Sequence, residues 1–314
     1  MRRIVQPIPV LDRSGQFVGW CDPFDRRSTE DGAITTWDGV CAAGLGGKRD
    51  WHIGFKNNAN AVASYIWMSR AFRAAGMPAA GSYTNVPGGA TFNSASTGAI
   101  PLIDPGDDDA YLLELMGGTG YCGGDLLLVD LLVAAGNISA NTTAATTVNT
   151  SALTRYTDGV GVMMTLEVTT VLSGNAANVT IGYTNTADAA KSTGAIAMTV
   201  SAVVDRIQPS VQQHYAIPLA SGDVGVKSVQ TVTFSAAMGG GVVAVLLFKP
   251  LAVILQAPDA NYITMSSHSL GTSLDGILRL QKEAGGALGC LTWFTLRIGS
   301  TADPETLCVN VARG

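Results

Sequence analysis

Residues 159–173 read GVGVMMTLEVTTVLS. Val160, Val162, Met164, Leu166 and Val168 alternate with Gly161, Met163, Thr165, Glu167 and Thr169. Successive side chains of a strand point to opposite faces, so this period of two predicts a β-strand with one polar face. Gly174-Asn175 supplies a turn, and Val179, Ile181 and Tyr183 begin a return strand. Runs at 196–202, 214–219, 226–236 and 242–248 continue the pattern. Short strands at intervals of roughly 12–18 residues predict an antiparallel β-sandwich or jelly roll in a mainly β chain. Runs at 276–280, 291–298 and 307–311 complete or extend it.

Toward the N-terminus the signals change. Residues 137–157 are almost all Thr, Asn, Ala and Ser, which predicts a connection with one edge strand. The apolar run at 126–133 fits helix or strand equally by periodicity, and 111–116 reads as a short strand. The one principal helix is expected at 61–75. Val62, Tyr65, Ile66, Ser69 and Phe72 fall on one helical face, Asn60 caps the start, and Gly76 and Pro78 end it. Residues 1–50 carry Pro7, Pro9, Pro23 and isolated Trp20 and Trp37, the marks of an irregular extended arm. The expected division is an arm over 1–50, a mixed α/β subdomain over 51–135, a connection over 136–158, a β-sandwich over 159–255 and C-terminal strands over 256–314.

The chain has 314 residues, 47% hydrophobic and only 14% charged, against a usual charged share of about 25%. A surface covered by neighbouring subunits needs less charge than a free one. A secreted β protein with an uncharged surface is the other reading of that composition. The net charge is −5 and the pI near 5.1. Basic residues cluster only as the pairs Arg2-Arg3, Arg26-Arg27 and Lys48-Arg49. Phosphate binding needs a basic face, so no nucleic-acid partner is expected.

Gln6, Pro7 and Pro9 interrupt the apolar character behind the two N-terminal arginines, so no signal peptide is expected. No uncharged apolar run reaches the ~18 residues of a membrane span. With synthesis in the cytoplasm, the five cysteines should stay reduced. His52, His214 and His268 stand at no metal-ligand spacing from a Cys or from one another. No cofactor is expected. Asp104, Asp107, Asp108 and Asp109 form an acidic turn, and these carboxylates are the calcium candidates, although they do not follow a twelve-residue calcium loop.

Gly118-Thr-Gly120-Tyr-Cys-Gly123 matches the dinucleotide pattern GxGxxG. No acidic residue for a ribose appears between Asp130 and Asp158, so it reads as a glycine turn. Gly46-Gly47-Lys48 resembles the end of a phosphate loop, but Ala42 and Arg49 replace the required residues. GxSxG is absent, and no catalytic constellation stands out. Tyr262, His268 and Asp275 occupy a polar stretch that reads as loop.

The stretches Arg155-Tyr-Thr-Asp-Gly-Val-Gly-Val162, Leu166-Glu-Val168 and Val179-Thr-Ile-Gly-Tyr-Thr-Asn185 carry a resemblance. It continues through Ile217-Pro-Leu219, Gly222-Asp-Val-Gly-Val-Lys-Ser-Val-Gln230 and Val242-Val-Ala-Val-Leu-Leu-Phe-Lys-Pro250. Together these segments resemble a family of tailed-bacteriophage virion structural proteins, over about a third of the chain and with no catalytic motif. The resemblance implies a non-enzymatic β-sandwich subunit of the particle. The expected role is capsid decoration or cement, as a homo-oligomer (a trimer) on the major capsid protein. A tail, neck or baseplate component and a glycan-binding or depolymerase module are the alternatives.

Trp20 and Trp37 are the expected interface residues. An arm of this composition gains little by ordering alone, so one or both rings should bury against a neighbour or the β domain. Such burial stabilises by roughly 2–3 kcal/mol per ring. Deleting residues 1–30 should leave a folded β domain that fails to assemble. Assembly with undiminished affinity would show the arm to be dispensable.

Overall fold

The apolar run that starts at Leu126 is a single strand, Leu126–Ser139, whose first eleven residues are all buried. A strand buried on both faces must have protein layers on both sides. In the computed structural model, which describes residues 8–11, 17–21, 39, 43–56, 66–106, 108–119, 125–199, 202–208, 214–254, 264–266, 278–297 and 304–314, those layers are sheets. Among the described residues strands make up 52% and helix 3%, so the fold is mainly β.

Strands are numbered in chain order. The central sheet contains β4 (Ile66–Met68), β6 (Thr84–Asn85), β7 (Ala90–Thr91), β9 (Leu126–Ser139), β11 (Met163–Thr170), β15 (Ile207–Gln208), β17 (Val242–Ile254) and β20 (Cys290–Arg297). Its order is β15-β11-β17-β9-β20-β4, with β6 and β7 added on β9. A bridge between Met68 and Arg206 joins the two ends of that order, so the sheet nearly closes into a barrel. A five-stranded sheet orders β10 (Thr146–Thr147), β16 (Val226–Phe234), β12 (Asn178–Asn185) and β13 (Ala190–Ser192), with β14 (Ile196–Ala197) also on β12. A six-stranded sheet orders β18 (Thr264–Ser266), β8 (Ala110–Thr119), β21 (Glu305–Arg313), β3 (Arg49–Lys56) and β5 (Gly76–Met77), with β19 (Leu278–Leu280) also on β8. A hairpin pairs β1 (Ile8–Leu11) with β2 (Phe17–Cys21). Among the described strands every pairing is antiparallel except that of β6 with β9.

Register sorts the core into three parts. Met163, Thr165 and Glu167 of β11 stand opposite Phe248, Leu246 and Ala244 of β17. Phe248 stands opposite Leu131, and Leu131 opposite Cys290. These residues share one face of the near-closed sheet, and with Trp67, Val129, Ile207 and Phe294 they supply its interior cluster. Phe248 meets Phe294 edge to face at 4.8 Å. The opposite face of β11 and β17, with Leu166, Val168, Val245 and Leu247, shares a core with Ile181 and Tyr183 of β12 and Val232 of β16. Farther along, Leu126 and Leu128 of β9 and Trp293 of β20 share a core with Leu115 of β8 and Leu307 and Val309 of β21.

Asp130 lies between these two outer cores along β9. Its carboxylate accepts from Arg155 Nε at 3.0 Å and Nη2 at 2.7 Å, and Arg155 Nη1 reaches Glu283 at 2.8 Å. Burial holds the Asp130 carboxyl above its ordinary range, and the Arg155 guanidinium offsets only part of that rise. A side chain at Gly289 would collide with that carboxylate, so glycine is required there.

Several expectations change. The helix over 61–75 is overturned in its described part: Ile66–Met68 is a strand on β20, and only Arg70–Arg73 (α1) is helical. Three consecutive apolar side chains are buried there, Ile66 and Met68 with Val203 and Trp67 in the barrel interior. A strand between two cores can bury all three, whereas a one-faced helix cannot. Residues 61–65 of that expectation lie outside the described ones. The 214–219 run is not a strand, because its residues serve different cores, Tyr215 the interior and Ile217 an outer one. Only Ile196–Ala197 of the 196–202 run pairs. The expected polar face of β11 is also covered, with Thr165 and Glu167 fully buried. β9 runs through position 135, and β21 pairs with both β3 and β8.

Truncating Phe248 tests the interior core. Phe248→Ala should cost about 3–5 kcal/mol of unfolding free energy, while Val224→Ala, at a site 61% exposed, should cost under about 0.5 kcal/mol. Chemical denaturation of both variants measures the contrast.

Candidate functional site

β3 reads RDWHIGFK and inverts the usual binary pattern. His52, Gly54 and Lys56 are buried, while Trp51, Ile53 and Phe55 are 47%, 56% and 44% exposed. Met77, opposite Phe55 on β5, is 67% exposed. Because strand faces alternate, a slip of one residue would exchange the two sets. Eight register pairs with β21, from Glu305↔Lys56 to Ala312↔Arg49, hold the apolar set outward.

The inner face explains why. Gly54 seats the indole of Trp293, and a Cβ there would lie 2.6 Å from the ring. Trp293 Nε1 donates to Glu305 at 3.1 Å. Lys56 Nζ donates to the carbonyl of Ala74 at 2.9 Å and to that of Pro78, and burial lowers its pKa to about 8. On the outer face Cys308, a half-exposed free thiol, stands opposite Ile53. One end of the face is polar: Arg49 Nε donates to Asn310 Oδ1 at 3.0 Å and pairs with Glu114 at 3.4 Å.

A second feature lies at the Glu167 end of the barrel. The Glu167 carboxylate accepts from Arg73 Nη1 at 2.7 Å, from Tyr83 Oη at 2.6 Å and from Ser69 Oγ. Arg73 Nη1 also pairs with Asp205 at 3.4 Å. Tyr83 stacks on Phe72 with ring centroids 5.5 Å apart, and Arg73 covers its ring at 5.6 Å. Burial pushes the Glu167 carboxyl from its ordinary 4.5 up to about 7, with Asp205 adding to the rise and Arg73, Ser69 and Tyr83 opposing it. Above this cluster opens a cleft of about 400 Å³ whose lining includes Arg73, Asn85, Asn137 and Thr170.

Of the residues singled out from sequence as site candidates, none of the described ones belongs to either feature. Trp20 is in β2, opposite Pro9, and Trp37 lies outside the described residues. Asp104 accepts the N–H of Gly106 at 2.9 Å, Asp108 pairs with Lys48 at 3.0 Å and Asp109 with Arg279 at 2.6 Å. Asp107 lies outside the described residues. Among the described residues no group of three or more His, Cys, Asp or Glu converges as a metal site. The β3 face has a sequence signal, the period-two triplet Trp51, Ile53 and Phe55, although that pattern alone would turn it inward. The Glu167 cluster joins residues far apart in sequence and has no local signal.

A carboxyl whose folded pKa is raised binds more protons in the folded than in the unfolded chain between the two values. The stability that Glu167 contributes is therefore fully present below pH 4.5 and lost as pH rises through about 7. The expected loss is up to about 3 kcal/mol. Denaturation curves across that window should show the slope in the wild type and a flattened one in Glu167→Gln. An unchanged slope in the variant would place the titration on another group.

The chain matches no protein-family model, no curated protein and no solved structure.

Proposed function

We propose that this chain is a non-catalytic structural subunit that assembles with copies of itself and with other proteins of a bacteriophage particle, in a capsid-decoration role. The observation that carries this reading is the outward apolar face of β3. Seating Trp293 on Gly54 sets this register within the subunit, but the exposure of Trp51, Ile53, Phe55 and Met77 that follows does not stabilise a monomer. At roughly 150–250 Å² per large side chain, the four expose on the order of 400 Å² of apolar surface. That is about the apolar half of the ~800 Å² per partner in a standard interface. The Arg49–Glu114 pair at its end would serve as polar rim.

The low charged fraction and the resemblance of 155–250 to phage structural proteins support the same reading. The five-stranded sheet, sharing a core with the outer face of the barrel, is the part on which the expected sandwich rests. A tail, neck or baseplate location fits the same interface. Copy number in a purified particle separates the two, being in the hundreds for a decoration protein and far lower for a tail or neck part.

The purified chain should self-associate, to a trimer by this reading, in light-scattering chromatography. Ile53→Asp should weaken that association at least about tenfold, since a charge would enter a buried apolar contact. It should change stability by less than about 0.5 kcal/mol, because the position is exposed in the free subunit. A chain that stays monomeric at high concentration and is absent from particles would overturn the proposal.

A further inference from the structure

The cleft at the Glu167 end of the barrel is built from separate elements. Arg73 comes from α1, Asn85 from β6, Asn137 from β9, and Thr169 and Thr170 from β11. Barrel mouths are common ligand sites, and small-molecule pockets measure roughly 300–1,000 Å³. This one, at about 400 Å³, falls in that range. Its lining is mainly polar: guanidinium, amide and hydroxyl groups, together with Gly81 and Gly136.

The walls are held from behind. Glu167 ties Arg73, Tyr83 and Ser69 to β11, and Thr169 Oγ1 donates to the Val242 carbonyl at 3.2 Å. Asn137 holds a left-handed backbone, φ 61°, at the cleft. That conformation costs an asparagine less than most residues but still requires support. By contrast, no side-chain hydrogen bond from a described residue engages Asn85, Asn137 or Thr170, and all three are exposed. Donors and acceptors on a braced frame are therefore left for something else.

Charge narrows the ligand class. Among the described residues of the lining the one cation, Arg73, is paired with both Glu167 and Asp205, so these residues offer an anion no net attraction. The ring of Tyr83 is covered by Phe72 and Arg73 and is not free to stack on a planar ligand. What remains is a set of neutral groups that donate and accept at short intervals, which matches a ring of hydroxyls. We propose that this cleft binds a neutral saccharide, one to two sugar rings in size, through Asn85, Asn137, Thr170 and the outer edge of Arg73. The site lies on the barrel mouth and does not include the β3 face, so it stands or falls apart from the assembly reading.

The test is two-dimensional amide NMR of the full chain titrated separately with glucose, galactose, mannose, fucose and N-acetylglucosamine. At least one sugar should shift the side-chain amides of Asn85 and Asn137, with a dissociation constant on the order of 1 mM for a single ring. Thr170→Val and Asn85→Ala, both at exposed positions, should each weaken it about 3- to 10-fold without altering the melting temperature. Ile53→Asp should leave it unchanged. No shift of those amides with any of the five sugars at tens of millimolar overturns the proposal. Binding that neither cleft variant weakens also overturns it, as does tighter binding of inorganic phosphate or sialic acid than of every neutral sugar.

Discussion

The rest of the structure depends on one pair of strands, β9 and β17, which must be covered on both faces. Both are long, nearly uncharged and buried along most of their length. Two strands cannot bury two faces in a single packed layer. The near-closed sheet solves half of the problem by turning one face of each strand into its own interior, around Phe248, Leu131 and Phe294. The two antiparallel sheets solve the other half by sharing cores with the outside of the barrel. Pro250 is tolerated in β17 because it lies past Phe248, the last residue of β17 paired with β11, and at a register shift against β9.

The exception within β9 is Asp130, and its position has consequences. A charge at a site covered on all sides requires a partner, and Arg155 meets it with two hydrogen bonds. Arg155 therefore brings the end of the Thr/Asn-rich connection against the middle of β9, and Glu283 brings in the turn between β19 and β20. Replacing such a pair by apolar residues can be neutral, whereas removing one partner strands a buried charge. The pair thus contributes more to where these segments lie than to net stability.

The two candidate surfaces follow from the same architecture. Trp293 of β20 faces outward from the barrel and needs cover, and Gly54 of β3 provides room for its ring. Seating that indole fixes the register of β3, and the register turns Trp51, Ile53 and Phe55 to solvent. On the interior face of β11, Glu167 is drawn into the barrel by strand alternation, where Arg73, Tyr83 and Ser69 converge on it. That convergence braces the barrel mouth and leaves a polar cleft above it. One surface is an apolar strand face and the other a hydrogen-bonding cleft, so association with a protein and capture of a small polar ligand need not compete.

The chain's mainly β class and most of its longer strands are legible in the order of its residues alone. Period-two alternation at 159–173 and the run at 242–248 correspond to β11 and β17, because side-chain direction in a strand is a local property of the backbone, while the run at 126–133, which periodicity leaves open between helix and strand, is β9. What alternation cannot encode is whether the second face is covered. Glu167 and Thr165 therefore read as solvent-facing, although the barrel closes over them. The same limit applies to Ile66–Met68, where helical spacing was a coincidence of three buried neighbours and the free edge of β20 decided for strand. It applies most to β3, whose Trp, Ile and Phe are apolar and periodic and so look like core. Only the tertiary register, set by a glycine beneath a tryptophan, placed them outside. The cleft was invisible for a related reason: Arg73, Asn85, Asn137 and Thr170 share no spacing, and only the closing of the sheet brings them together.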